Sequence, residues 1–171
     1  GSRVDEWERK LAGATYQQIA ASGGGIMSTV RAVRAASEKE LWFTYVDHLQ
    51  KMLDAGSTTV EVKSGYGLTC EHEHRLVQTI LKSRMLREHA GRRPSSSRVP
   101  TALLGHAIDP EFAGGGSGSR EEFIRETIER TLPAIAELHP GITVDAFCEQ
   151  GAWTPEECTR LFRAAQALGC P

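Results

Sequence analysis

The sequence lacks the features that mark several common classes of protein. Its four cysteines are scattered and form no C-x-x-C pair, which favours reduced thiols over a disulfide framework or a structural zinc site. A formal net charge of −2 gives no electrostatic reason to expect nucleic acid or an anionic membrane as partner. No apolar run approaches membrane-spanning length, and no basic-then-apolar signal pattern opens the chain. We therefore expect a cytoplasmic protein.

What is present is an ordinary globular composition. The chain has 171 residues, of which 40% are hydrophobic and 25% are charged. This length is sufficient to bury one core, so the composition predicts one domain-sized unit.

Short β-branched segments alternate with helical segments along the chain. The pattern predicts strands at 58–62, 99–104 and 142–147, and a helix from about Thr69 to Gly91. Three further helices begin with capping boxes: Ser37 with Glu40, Ser119 with Glu122, and Thr154 with Glu157. A repeating order of strand and helix implies parallel strands joined by right-handed crossovers, which is an α/β fold.

The loop after the first predicted strand is the most informative segment. Residues 63–68 read KSGYGL, so Tyr66 lies between two glycines where a strand gives way to a helix. Glycines let the backbone turn sharply, and we expect them to leave the phenol free of packing. In α/β proteins such strand-end loops contain the residues of the functional site.

Residues 58–68 resemble the second strand and its loop in imidazolonepropionases, metal-dependent hydrolases of histidine breakdown within the amidohydrolase superfamily. Further blocks are similar to the same family in the same order: 10–16, 23–31 continuing to 34–37, 105–107 and 147–152. One such block would be a weak signal, but an ordered set along nearly the whole chain is specific.

The resemblance implies a partial TIM (β/α)8 barrel of the amidohydrolase type with about three βα units. A complete barrel needs roughly 250 residues. Residues 1–171 are therefore expected to form a single incomplete segment of a catalytic domain, with its N-terminal and C-terminal parts elsewhere. The residues alone also allow a small complete doubly wound sheet.

Two strand-end residues are expected to bind substrate. The family's matching tyrosine contacts substrate, which implies that role for Tyr66. His106 follows the strand at 99–104 and lies between small neighbours that should leave its ring accessible. The family's matching histidine binds substrate. A neutral imidazole can donate one hydrogen bond and accept another, which suits a heterocycle or a carbonyl oxygen.

Two residues near the start of the chain are also implied as substrate ligands. In the family an arginine stands thirteen residues before the tyrosine of the K-L-x-G-x-x-Y block, and Arg3 keeps that interval to Tyr16. A guanidinium presents a planar fork of N–H donors, which can hold a carboxylate through two parallel hydrogen bonds. Tyr16 could instead simply begin a short helix that Thr15 and Gln18 cap.

The pair His72 and His74 looks like the H-x-H metal motif of amidohydrolases. That motif works on a strand, whereas this pair lies in the first turn of a predicted helix. Two residues apart on a helix, side chains diverge by about 200° and cannot converge on one ion. We therefore expect no metal ligand here, and we attribute Glu71 and Glu73 to the helix macrodipole.

The resemblance also implies an activity for the full-length protein. It would bind one zinc or iron ion through ligands outside this chain and hydrolyse the small molecule 4-imidazolone-5-propanoate to N-formimidoyl-L-glutamate. A homodimer is expected at full length. Residues 1–171 would contribute substrate-binding residues and no catalytic or metal-binding ones. Two alternatives stay open: another cyclic amide or amidine hydrolase or deaminase of the superfamily, and a non-catalytic globular fragment.

Overall fold

The computed structural model describes residues 3–15, 18–19, 22–82, 97–112 and 118–171. From residue 37 onward, helices and strands follow one another in the predicted order, and two helices that were not predicted precede them. The helices are α1 (Val4–Leu11), α2 (Ile26–Ala35), α3 (Glu38–Asp54), α4 (Cys70–Lys82), α5 (Arg120–Glu126), α6 (Leu132–Leu138) and α7 (Pro155–Ala167). The strands are β1 (Thr59–Lys63), β2 (Ser97–Gly105) and β3 (Thr143–Ala146). Among the described helices, none has the length and apolar character needed to cross a membrane.

The strands form one open parallel sheet in the order β1–β2–β3. The α/β prediction is therefore confirmed, and the predicted strand limits hold to within two residues. Strand β2 begins earlier than expected, because Ser97 and Arg98 pair with β1 instead of belonging to the preceding loop. The predicted helix from Thr69 is present as α4, and the part of that prediction beyond Lys82 lies outside the described residues.

The sheet buries one face against helices. Alternate strand residues enter the core, among them Val60, Ala102, Leu104 and Val144. Ala102, Leu104 and Val144 share one apolar cluster with side chains of α4, α6 and α7, including Val77, Leu132, Ile135 and Leu161. This alternation follows from the two-residue period of a strand, which directs successive side chains to opposite faces.

The opposite face of the sheet bears polar side chains. Lys63 of β1 forms an ion pair with Asp145 of β3, with 2.6 Å between Nζ and Oδ2, and thus crosses over β2. Beneath it, the hydroxyl of Thr101 donates to the Glu61 carboxylate at 2.7 Å. The exposed fractions of the Lys63 and Asp145 side chains are 40% and 36%, so solvent reaches this pair.

All three predicted capping boxes are present at the starts of α3, α5 and α7. Helix α5 passes into α6 through a π-helical turn, Thr127–Thr131. Pro133 follows directly, in the first turn of α6. Since proline has no N–H to donate to the preceding turn, the regular ladder of hydrogen bonds is interrupted at this point.

The capping box of α7 is joined to α5 by an ion pair. Both carboxylate oxygens of Glu157 accept hydrogen bonds from Arg120, at 2.8 and 2.7 Å, and one also accepts the Thr154 N–H at 2.8 Å. The Arg120 guanidinium, more than the cap, lowers the pKa of Glu157 below its ordinary value. One side chain therefore stabilises a helix start and a helix contact together.

We predict that Glu157→Gln lowers the free energy of unfolding at pH 7 by about 1–2 kcal/mol, since a partly exposed charged pair is lost. A lowered pKa means that this contribution is present above the ordinary value of 4.5 and disappears as the pH falls through the folded-state value. Urea unfolding of both proteins should therefore converge at acid pH. Glu156→Gln, at an exposed site in the same turn, is the control. A difference that is independent of pH would contradict the assignment.

Candidate functional site

Two loops meet at the carboxyl end of the sheet. Residues 64–68 follow β1, and residues 106–109 follow the neighbouring β2. Because neighbouring parallel strands end at the same edge, the two predicted strand-end residues, Tyr66 and His106, are brought together there. Their ring centroids are 5.4 Å apart, with the rings tilted by 58°.

Glycine is required at both positions that flank Tyr66, for different reasons. Gly65 has φ +121°, and a Cβ there would stand 2.6 Å from the carbonyl oxygen of Leu103. A Cβ on Gly67 would stand 2.7 Å from the backbone N of Glu73, in the first turn of α4. The sequence interpretation of this loop as a sharp turn is thus correct, and close approach of the backbone is its second cause.

The expectation of a free phenol is wrong. Tyr66 is half-buried and packs against the edge of the hydrophobic core. His106 is also less accessible than expected, with an exposed fraction of 9%. Its Nε2 lies in hydrogen-bond contact with the carbonyl oxygen of Gly65. Since a carbonyl can only accept, Nε2 is the protonated nitrogen, and the neutral ring retains Nδ1 as an acceptor.

The inner side of the Tyr66 loop is held by Glu73. This carboxylate is buried and accepts the backbone N–H groups of Gly65 at 2.8 Å, Gly67 at 2.6 Å and Leu68 at 2.9 Å. Burial raises the pKa of Glu73, and the bonds from the loop backbone oppose that rise. The attribution of Glu73 to the helix macrodipole is therefore incomplete, because its main contacts are with the loop.

The outer side of the same loop is held by Arg34, near the end of α2. Its Nε donates to the carbonyl oxygen of Gly67 at 2.8 Å, and its Nη2 pairs with the buried carboxylate of Asp109. The guanidinium thus bridges the two loops. Arg75 of α4 donates from Nη2 to the carbonyl oxygen of Val33 at 2.9 Å, which fixes the end of α2.

Arg3 lies apart from this cluster in its described contacts. It precedes α1, its side chain is 43% exposed, and its guanidinium stands 3.9 Å from the carboxylate of Glu6. Glu6 in turn accepts the N–H of Gly25 at 2.9 Å, which ties α1 to the start of α2. The fourth predicted ligand, Tyr16, lies outside the described residues.

Of the two histidines that resemble a metal motif, His72 has a local partner. His72 Nδ1 is 2.7 Å from the hydroxyl of Thr69, within the first turn of α4. Among the residues that the structure describes, no three or more His, Cys, Asp or Glu side chains are grouped so that they could hold a metal ion.

Comparison with known proteins shows which proteins this chain is related to in sequence. No family model matches the chain. Curated relatives match it along its whole length: the imidazolonepropionases of Hahella chejuensis at 44% identity, and of Klebsiella pneumoniae and Pseudomonas putida at 42% each. The chain is homologous to a region of imidazolonepropionase. It spans about 40% of the length of these curated relatives.

Within this region homologous to imidazolonepropionase, sequence reasoning missed Glu73, Arg34 and Asp109 as parts of the site. A signal for Glu73 existed: the loop places several N–H groups outside any helix or strand, and an acid follows them within one helical turn. Asp109 stands in no recognisable motif. The contact between Arg34 and Asp109 joins residues 75 positions apart, so only the folded chain reveals it.

We predict that Gly65→Ala destabilises the chain by at least about 3 kcal/mol, because a strained φ and a backbone clash act together. Gly56→Ala is a matched control: Gly56 also has a positive φ, of +93°, but a Cβ there meets nothing within 4 Å. That control should cost only about 1–2 kcal/mol. Chemical unfolding of both variants gives the comparison. Equal losses would show that the approach to Leu103 has no effect.

Proposed function

We propose that this chain is the part of an imidazolonepropionase that holds the substrate's ring and propionate, and that the full-length protein hydrolyses 4-imidazolone-5-propanoate to N-formimidoyl-L-glutamate. The observation that supports this most directly is homology over the whole chain, together with the meeting of Tyr66 and His106 at one edge of the sheet. We place the protein in the cytoplasm and expect a homodimer at full length.

The sheet supports a barrel wall. In a (β/α) barrel the helices cover the outer face of the strands, and the inner face is lined by side chains from alternate positions. Here the described helices cover the face of Ala102 and Leu104, while Lys63, Thr101 and Asp145 lie on the other face. A doubly wound sheet would bear helices on both faces. We therefore propose that residues 1–171 are one incomplete segment of an amidohydrolase-type barrel.

Substrate binding is assigned to four residues. His106, with its Nε2 directed at Gly65, has an acceptor at Nδ1 for an N–H of the ring, while the phenol of Tyr66 can donate to a ring carbonyl. Arg3 supplies the fork for the propionate, and its distant, partly screened contact with Glu6 leaves its donors available. Tyr16 is retained as the fourth ligand on the resemblance alone.

The metal of the family is proposed to lie elsewhere in the full-length protein. The described residues do not fit such a group, since no suitable cluster of ligands is found among them. We propose one zinc or iron ion held by residues outside this chain.

The 171-residue chain alone should therefore show no imidazolone hydrolysis, with or without added zinc or iron. The test is a turnover assay of the purified chain across both metals. Metal-dependent turnover would contradict the proposal and would return His72 and His74 to consideration as ligands.

A chimera tests the function itself. Residues 1–171 would replace the matching segment of the Hahella chejuensis enzyme, which aligns over 171 residues. The metal-loaded chimera should hydrolyse 4-imidazolone-5-propanoate. A chimera that retains its metal and a cooperative unfolding transition but gives no turnover would contradict the proposal. Turnover of a different cyclic amide or amidine in its place would favour the related-hydrolase alternative.

In the active chimera, Arg3→Met should lower kcat/KM more than Tyr66→Phe, because charge-assisted bonds to a carboxylate contribute about 1.5–3 kcal/mol each. Arg3→Lys should restore only part of the loss, since an ammonium lacks the fork. Arg9→Met, on an exposed residue of α1, the helix that Arg3 directly precedes, is the control. The decisive comparison uses a substrate analogue without the carboxylate. An equal loss for Arg3→Met on the analogue and the natural substrate would refute the assignment.

A further inference from the structure

One buried charge in this chain has no part in the proposed function as stated. Glu73 is only 2% exposed and accepts three hydrogen bonds, all from the backbone of residues 65–68. Glu71, two residues earlier in the same turn of α4, is exposed in the way usual for an acid near a helix N-terminus. The difference between these two acids needs a cause beyond the macrodipole.

Burying a carboxylate is unfavourable unless its oxygens receive good hydrogen bonds. The three N–H groups bonded to Glu73 would otherwise be buried beside Tyr66 without a strand or helix partner. The contact also accompanies an unusual backbone, because Leu68 has φ 60° although it is not glycine. The carboxylate therefore stabilises one particular shape of the loop.

Water is a poor substitute for this carboxylate. The void beside it, lined by Gly65, Leu68 and Glu73 among others, measures about 10 Å³. That volume is at the lower limit for a single water molecule. Loss of an acceptor oxygen would thus leave loop N–H groups unbonded or force the loop to move.

The other side of the loop is fixed as well. His106 binds the carbonyl oxygen of Gly65, and Arg34 binds that of Gly67. Tyr66 lies between Gly65 and Gly67 in the chain. Each of these glycines donates its N–H to Glu73, and its carbonyl oxygen accepts from His106 (Gly65) or Arg34 (Gly67). Such bonding fixes the path of the loop and therefore the position from which the Tyr66 side chain projects.

We propose that Glu73 is a positioning residue: its carboxylate holds residues 65–68 so that Tyr66 stands where it binds substrate. This inference rests on the proposed function, since it takes Tyr66 as a substrate ligand. Glu73 itself is 2% exposed beneath the loop, so in this proposal it acts through the loop and not on the substrate directly.

The first test needs no activity. In Glu73→Gln one carboxylate oxygen becomes an NH2 group, which cannot accept an N–H bond, so either Gly65 or the pair Gly67 and Leu68 loses its acceptor. Amide hydrogen exchange of the 171-residue chain should be slow at these sites in the wild type and in Glu71→Gln. In Glu73→Gln it should be at least tenfold faster at one of these two sets, either Gly65 or Gly67 with Leu68. Unchanged exchange would overturn the proposal.

The second test is a double-mutant cycle in the active chimera. We expect Glu73→Gln to lower kcat/KM about tenfold or more, since small misplacements of a positioning group have large effects on rate. In a Tyr66→Phe background the same change should cost roughly threefold or less, because the two residues act through one interaction. Equal losses in both backgrounds, with or without a change in Tm, would mean that Glu73 does not act through Tyr66.

Arg34→Lys provides a second route if Glu73→Gln fails to fold. The lysine keeps a positive charge for Asp109 but cannot also reach Gly67 with a fork. Its effect on kcat/KM should likewise shrink in the Tyr66→Phe background, and undiminished loss there would count against a positioned loop. The failures are distinguishable: an inactive, metal-loaded chimera refutes the proposed function, whereas an active chimera with additive variants refutes only the positioning role.

Discussion

Pairing of the Glu73 carboxylate with the backbone of residues 65–68 is the interaction on which the site's geometry depends. A loop between a strand and a helix has N–H groups that neither element satisfies, and here they are buried. One side chain from the following helix bonds three of them. The loop can then turn within a few residues and still present Tyr66 beside His106.

Local signals made much of the fold predictable. The β-branched segments predicted the strands. The capping boxes at Ser37, Ser119 and Thr154 predicted helix N-termini, because a capping box is formed by residues within four positions of one another. The glycines around Tyr66 likewise indicated a sharp turn. The sequence does not predict contacts between residues far apart in the chain, such as the ion pair of Arg34 with Asp109. These residues come close together only after the sheet has formed.

The site was predictable in position and less so in detail. Strand-end placement pointed to Tyr66 and His106, since parallel strands finish at one edge. Their packing was not foreseen: both rings are partly or largely buried, and one nitrogen of His106 is engaged by Gly65. The role of Glu73 was not predicted, because the helix macrodipole already explains an acid in a first helical turn. Its hydrogen bonds to the loop backbone are tertiary contacts that only the folded chain shows.

The ion pair between Lys63 and Asp145 has a consequence for how the chain avoids misfolding. Its partners lie on β1 and β3, which do not touch, so the pair forms only if both strands are aligned correctly on β2. A slip of either strand by one residue would turn its charge into the layer occupied by Ala102 and Leu104. The pair thus favours the correct strand register. A misaligned sheet is higher in free energy, because it buries a charge among apolar side chains.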